Sequence, residues 1–580
     1  MHLKVEGMGG DYERMVKPMM KNEKESSIVS ILCLLVILPF CQLTYAEQKL
    51  SQFGITWTFD RHYTVGQFAN GDYWVVGPVT IIGIDPPSIS NDGRIINGSM
   101  INPSPKLKTV HGYDSGMFGG YARYGKYDPN LNVVRPNQQM LSESNPLVVS
   151  PGSSLVSTVS TQQADQETQL QTAAILSVLD DQVAQGSFRP PYVGTDKSIR
   201  YNKNQLNYSL LASLKPTPGV PNLRTVERYF ERPWLDHIPG WMNGYQHPEE
   251  NMPYYGREMS TQIGIGALML HLNFTNRQKE TLLVRYVQLG IDLYGIVRDG
   301  GENNWHNDGG IASGRKWPIL FAGLALDDSD LKSIGAVSGD YLYADGYGPG
   351  NIPPDYVHFG EDDQTFYVSD GDIYEPPYKE HSYHGEFTYY GHGSGDKHRD
   401  YLEYKEHHHG LPEWGIRHST NRNIDGLDWD SVYRQVTANS WGGFILAVHI
   451  MGVKDLWNHN ALFDYKDRYA QVEVEWRETS RFVNSMWDAY RSDYGPVWTM
   501  STRLNITANN GSVTRYPDQT SFVLGESVVL SLVADPGYEF AGWSGDLSGD
   551  ENPATIVMQA HRSIAATFAV RSNSDTYDSK

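Results

Sequence analysis

The chain has 580 residues, 39% of them hydrophobic and 12% aromatic, enough to bury a large core and to form more than one domain. Its net charge of −21 is unchanged when the first 46 residues are set aside, and so acidic a surface argues against nucleic acid as a partner. Both cysteines, Cys33 and Cys41, lie in that opening segment, so the rest of the chain has no disulfide, cysteine nucleophile or thiolate metal site to offer.

At the amino terminus, Lys21 and Lys24 precede an apolar run at 28–38, followed by Pro39 and the small-x-small triplet Thr44-Tyr45-Ala46. The run is too short to cross a bilayer comfortably, so residues 1–46 read as a secretory signal peptide, with Met19 or Met20 a better initiator than Met1. A retained membrane anchor is the alternative. Export without disulfides leans towards a bacterial protein, secreted, periplasmic or held at the cell surface.

Residues 47–215 predict β structure. Trp57-Thr58-Phe59, Tyr73-Trp74-Val75-Val76, Val79-Thr80-Ile81-Ile82 and Leu147-Val148-Val149 are short β-branched or aromatic runs bounded by Gly, Pro and Asp. The apolar run at 173–179 fits strand or helix, and a Ser/Gln-rich stretch at 153–170 separates it from the earlier strands. The expected fold is a β-sandwich.

From 216 to 500 the period becomes helical. Residues 256–273 predict one apolar helix. Thr275-Asn276-Arg277-Gln278 has the spacing of a capping box and opens a second, which Asp299-Gly300-Gly301 stops. Pro318 suits the first turn of a third helix over 318–326, and 432–451 and 465–490 predict another pair. Long helices with short loops point to an antiparallel array, and at this length an (α/α) toroid fits better than a simple bundle. The multidomain α+β chain closes with a β module at 503–570 and a tail at 571–580. That module contains Gly537-Tyr538-Glu539-Phe540-Ala541-Gly542-Trp543 and a last Ala566-Thr567-Phe568 strand. In these residues it resembles the bacterial extracellular repeat related to the internalin B-repeat, a resemblance that implies surface association and says nothing of catalysis.

Two stretches carry the chemistry. Residues 300–326 set Asn303, Asn304, Trp305, His306, Asp308, Arg315 and Lys316 on a glycine-flanked loop between apolar helices, where backbone can approach a ligand closely. Nine of the nineteen histidines fall between His358 and His418, with Tyr389 and Tyr390 among them and Glu413, Trp414 and Arg417 close behind. Removing the weakly acidic C5 proton of a uronate needs a neutralised carboxylate and a positioned base. Asn304 and His306 suit the first task, and Tyr390 or His409 the second. Asn303, Trp305, Arg315, Lys316, Trp414 and Arg417 are candidates for holding substrate. In composition the helical region resembles toroidal polysaccharide lyases of the alginate lyase and heparinase-like kind, which implies β-elimination of an anionic, uronic-acid polysaccharide. The β region precedes the helices here, whereas many such lyases place theirs after.

Three alternatives stay open. Glycoside hydrolysis would draw on Glu302, Asp308, Glu386 and Glu413, and a β-sandwich followed by an (α/α) barrel is also an order seen in toroidal glycosidases. A glycan-binding surface protein would need no catalysis. Elimination requires no cofactor, but His407, His409 and Glu413 could share a divalent cation.

Overall fold

The computed structural model describes residues 45–117, 125–134, 140–162, 170–239, 247–251, 256–305, 310–311, 313–336, 356–368, 409–414, 432–472, 480–499, 501–523, 525–558 and 561–571. Strands β1 (Tyr45–Gln52), β2 (Ile55–Gln67), β3 (Tyr73–Val76) and β4 (Val79–Asp85) open the fold. The short pair β5 (Ile89–Asn91) and β6 (Arg94–Ile96) follows, then β7 (Ser99–Ile101), β8 (Val110–His111), β9 (Lys126–Tyr127), β10 (Leu147–Val149), β11 (Ser153–Ser160) and β12 (Leu170–Leu179). Eight of these form one sheet in the order β10-β4-β2-β3-β12-β11-β7, with β1 on β2; β5-β6 and β8-β9 are separate two-stranded pairs. The pairing of β12 with β3 is parallel, while its pairing with β11 is antiparallel.

β12 explains where the core lies. Alternate residues of a strand point to opposite faces, and both faces are buried here. Ala173 and Ile175 join the large core shared with the helices, while Ala174, Leu176 and Val178 join a second core with Trp57, Phe59 and Ile81. A near-continuous apolar run is what two covered faces require. β11 is equally buried although half of it is serine. Ser157 accepts the Trp57 indole N–H at 3.0 Å, Ser99 and Ser157 hydroxyls meet at 2.9 Å, and the Asn97 backbone N–H bonds Ser160 at 3.1 Å. Cross-strand hydroxyl bonds make a Ser-rich segment a core strand.

The helical region contains α1 (Leu223–Tyr229), α2 (Gly256–Leu270), α3 (Asn276–Ile296), α4 (Lys316–Leu326), α5 (Ser329–Lys332) and α6 (Gly360–Asp363), then helices at Val432–Ala438, Gly442–Met451, Lys454–Trp457, Asn460–Val472 and Arg481–Tyr490. Thr275 caps α3 with a complete capping box closed by Gln278. α3 ends in a wider turn at Val297–Gly301, where Asp299 leaves helical geometry and Gly300 has φ +96°. The expected helix over 432–451 is two helices broken at Asn439-Ser440-Trp441. α2 crosses the second of them at glycine: a Cβ on Gly443 would lie 2.6 Å from the Gly264 Cα. Among the described residues no helix is long and apolar enough to cross a membrane.

One buried ion cluster ties sheet to helices. Arg189 gives one bond of 2.6 Å to Asp72, beside β3, and bonds of 2.9 and 2.5 Å to Asp292 of α3. Beside it a small pocket is lined by Arg189, Arg232, Arg285, Glu231 and Asp292, all of them already paired with one another or with neighbours.

At the carboxy terminus, β15 (Ser501–Thr502) and β18 (Phe522–Val523) pair with each other. β16 (Leu504–Ala508), β22 (Arg562–Val570) and β20 (Tyr538–Gly545) form one three-stranded sheet; β17 (Gly511–Tyr516), β19 (Ser527–Ala534) and β21 (Ala554–Val557) form another. They enclose their own core of Val528, Leu530, Leu532, Trp543, Ile556 and Phe568.

Candidate functional site

The loop that follows α3 packs against residues 356–368, at the start of the histidine-rich stretch. The remaining two strands state the link: β13 (Thr365–Tyr367) pairs antiparallel with β14 (Pro412–Trp414), so the described ends of that stretch lie side by side. The His358 backbone N–H bonds the Glu302 carbonyl at 2.8 Å, Trp305 bridges to Phe359 in parallel, and their rings stack at 5.8 Å. Loop and stretch therefore meet across more than fifty residues of sequence.

The junction is built on two carboxylate hubs. Asp236 is the first, wholly buried, and it lies in a segment between α1 and α2. It accepts from Arg315 at 2.9 Å, from the Trp305 indole at 2.9 Å and from His247 at 3.4 Å. Burial works to raise its pKa, but the Arg315 guanidinium and the His247 bond outweigh it and hold the carboxyl well below its ordinary range. Burial lowers the pKa of His247, against the opposing pull of the Asp236 hydrogen bond and charge. Asn304 completes this side by donating to the carbonyls of Asp236 and His237 at 3.3 and 3.0 Å.

The second hub is the buried single turn α6. Asp362 takes the Lys316 ammonium at 2.6 Å and the Trp457 indole at 2.7 Å. Asp363 takes the Tyr356 hydroxyl at 3.0 Å and His358 Nδ1 at 2.7 Å. Glu361 accepts the Gly314 backbone N–H at 2.7 Å through Oε2. Burial, reinforced by the Asp362 charge, pushes Glu361 up to about 8. This turn thus holds a carboxyl pushed towards its protonated form next to two that engage an ammonium, an imidazole, an indole and a phenol.

Several buried polar atoms around the junction have no partner among the described residues: Tyr113 Oη, His237 Nε2, His247 Nδ1, Ser260 Oγ, Glu361 Oε1 and the Trp414 indole N–H. Tyr113 and His237 meet edge to face at 5.9 Å, and burial holds His237 down to about 3. Each such atom costs about 1–3 kcal/mol when met neither by protein nor by water.

The structure places the sequence candidates as follows. Asn304, Trp305, Arg315 and Lys316 are buried at the junction, and Glu413 and Trp414 are buried on β14 beside β13, whereas Asn303 and His409 are exposed. Arg315 and Lys316 have internal carboxylates, Asp236 and Asp362, where a substrate carboxylate was expected, because a buried cation needs a paired anion. The faces that Trp305 and Trp414 would lend to a sugar are occupied, by Phe359 and by the Arg434 guanidinium. Glu413 is held by Arg434 at 2.8 Å and Arg468 at 3.5 Å; burial opposes ionisation, but the two guanidiniums lower its pKa. His306, Tyr390, His407 and Arg417 lie outside the described residues, as do Asp308 and Glu386. Among the described residues no group of three His, Asp or Glu side chains is arranged to hold a metal.

Asp236 and the α6 acids were not singled out from sequence, though a signal exists. Asp236-His237 sits within Trp234-Leu235 and Ile238, and Glu361-Asp362-Asp363 lies between Phe359 and Phe366. Charges inside apolar runs are rarely buried unless paired.

The divergent InlB B-repeat domain family matches residues 502–572. No curated protein and no solved structure matches the chain.

Proposed function

We propose that this protein is a carbohydrate-active enzyme that cleaves a uronic-acid polysaccharide by β-elimination at the junction of the 301–316 loop with α6. One observation carries the reading: His358 is anchored to the loop through its backbone, and its ring is oriented by Asp363. A carboxylate on Nδ1 orients the imidazole, as the side chain of a general base must be oriented. Tyr356 on the other oxygen of Asp363 fixes that carboxylate in turn. Asn303, exposed on the loop, is assigned to the uronate carboxylate. The helices are read as an (α/α) array, and the repeat at 502–572 as an attachment to the surface of an exporting bacterial cell.

The test mixes the protein with uronate-rich algal and plant polymers and follows two signals. Elimination gives a rise in ultraviolet absorbance from the unsaturated uronate. Reducing ends without that absorbance mean hydrolysis, and retention on the polymer with neither signal means a binding protein; either result removes the proposal.

A further inference from the structure

Arg315 and Lys316, the cations carried by the loop itself, are both buried on carboxylates. A cation that does reach solvent there comes from the β region. Lys106 sits on the single helical turn Pro105–Leu107, and its side chain is 68% exposed. The turn is well fixed. Ser104 caps it by accepting the Lys106 backbone N–H at 3.2 Å, the Lys108 N–H closes on the Pro105 carbonyl at 2.8 Å, and the Pro103 carbonyl takes the Gly194 N–H at 3.1 Å. From this base the Lys106 stem lies across Gly300, where an added Cβ would come 3.2 Å from its Cγ and Cε. Gly300 stands two residues before Glu302, whose carbonyl holds the His358 N–H. At most about 7 Å of backbone separates those two anchor points.

Lys106 Nζ donates to Asp299 Oδ1 at 3.0 Å. Asp299 is largely buried and packs against the Gly194 turn. A second cation, Lys197, lies near it, buried and committed to the Pro191 and Val193 carbonyls. Asp299 therefore keeps a positive neighbour when Lys106 turns away. An ion pair with so exposed a lysine is weak, and another carboxylate readily takes its place. A polymer with a carboxylate on each sugar, approaching a chain of net charge −21, is repelled overall and needs cations where it docks.

We propose that Lys106 is a substrate-binding residue: it exchanges Asp299 for the carboxylate of the sugar next to the one that loses its proton. The assignment rests on the uronate-polymer reading above. Asp299 holds the ammonium beside Gly300 until substrate arrives. Lys108, and Lys126 whose backbone N–H bonds the Thr109 carbonyl at 3.1 Å, are further exposed cations leading away from the loop along β8 and β9. Asp128, the acid of that strand pair, is bonded within its own turn to Asn130. A compact ammonium on a flexible stem reads charge and not ring stereochemistry, so the subsite selects acidic polymers as a class.

The experiment measures kcat and KM of the full chain at low salt on the polymer that wild type cleaves, and its retardation in gels carrying alginate or polygalacturonate. Urea midpoints check that each variant is folded. Lys106→Gln is expected to raise KM about three- to fivefold with kcat unchanged, and Lys106→Arg, which keeps the charge, to restore it. Asp299→Asn, which frees the ammonium, is expected to lower KM by a similar factor. Both shifts vanish near 1 M salt, where screening acts within about 3 Å. An unchanged KM in folded Lys106→Gln, or a rise in KM from both substitutions, marks a purely structural ion pair and overturns the subsite while elimination stands. If wild type eliminates no polymer, the gels decide. Retardation that weakens in Lys106→Gln and strengthens in Asp299→Asn keeps the carboxylate subsite and removes elimination alone; no retardation of wild type removes both.

Discussion

Arg315 shows how one side chain can be assigned two different tasks. On the sequence it is a cation on a glycine-rich loop, suited to clamping a substrate carboxylate. In the fold its guanidinium is spent on Asp236, on the Ile311 and Ser313 carbonyls and on the Met259 sulfur. Removing one member of a buried ion pair leaves the other charged and unsolvated, which costs about 3–5 kcal/mol. Arg315→Met is therefore expected to lower the unfolding free energy by that amount, read as a lower urea midpoint. A clamp would instead leave the midpoint alone and raise KM. Sequence identified the loop because its density of Asn, His and Gly is local information. It could not separate a paired from an unpaired cation, because Asp236 and Asp362 are supplied from about 80 and 46 residues away. Asn304 differs from Asn303 for the same reason: the first reaches the 236–237 backbone, and the second stays at the surface.

Among the elements, the central helices show how close packing depends on single glycines. α2 and the Gly442–Met451 helix touch backbone to backbone at Gly264 and Gly443, and no rotamer change can make room for an added methyl there. Gly443→Ala is expected to cost about 1–3 kcal/mol through overpacking, read as a lower thermal midpoint. Gly264→Ala in the same background should add less than its separate effect, since the helices have already moved apart. Full additivity would show that they do not share this contact. The elements themselves were largely legible. α2, α3 and α4 begin within two residues of their expected starts because apolar period and the Thr275 capping box are local signals. β11 was not, since Ser154, Ser157 and Ser160 read as a polar linker until β7, β2 and β12 supply partners or cover. The break at 439–441 was also missed, because the apolar run from Phe444 to Val448 masks the Asn439-Ser440 interruption and the Gly442-Gly443 pair before it.

At the scale of the molecule, the sheet, the helices and the site depend on pairings between distant segments. Arg189 joins Asp72 to Asp292, and the Glu302 and Phe359 regions meet through His358 and Trp305. Such pairings cannot be read from periodicity. The two stretches were identifiable as chemically dense, but only the fold places the Asp363–His358 dyad and Glu361 against the loop. The carboxy-terminal repeat is the opposite case: a small core with a local aromatic-glycine motif, legible from Gly537–Trp543 and the closing Ala566-Thr567-Phe568 strand and matched over 502–572.

Elimination is proposed where these segments meet, and it turns on His358. The most direct measurement is the initial rate of absorbance rise for His358→Gln on the polymer that wild type cleaves, with folding checked by its urea midpoint. Loss of a positioned base predicts a fall of about 10²–10⁴-fold in kcat in a protein that remains folded. A folded variant that turns over at the wild-type rate would contradict it.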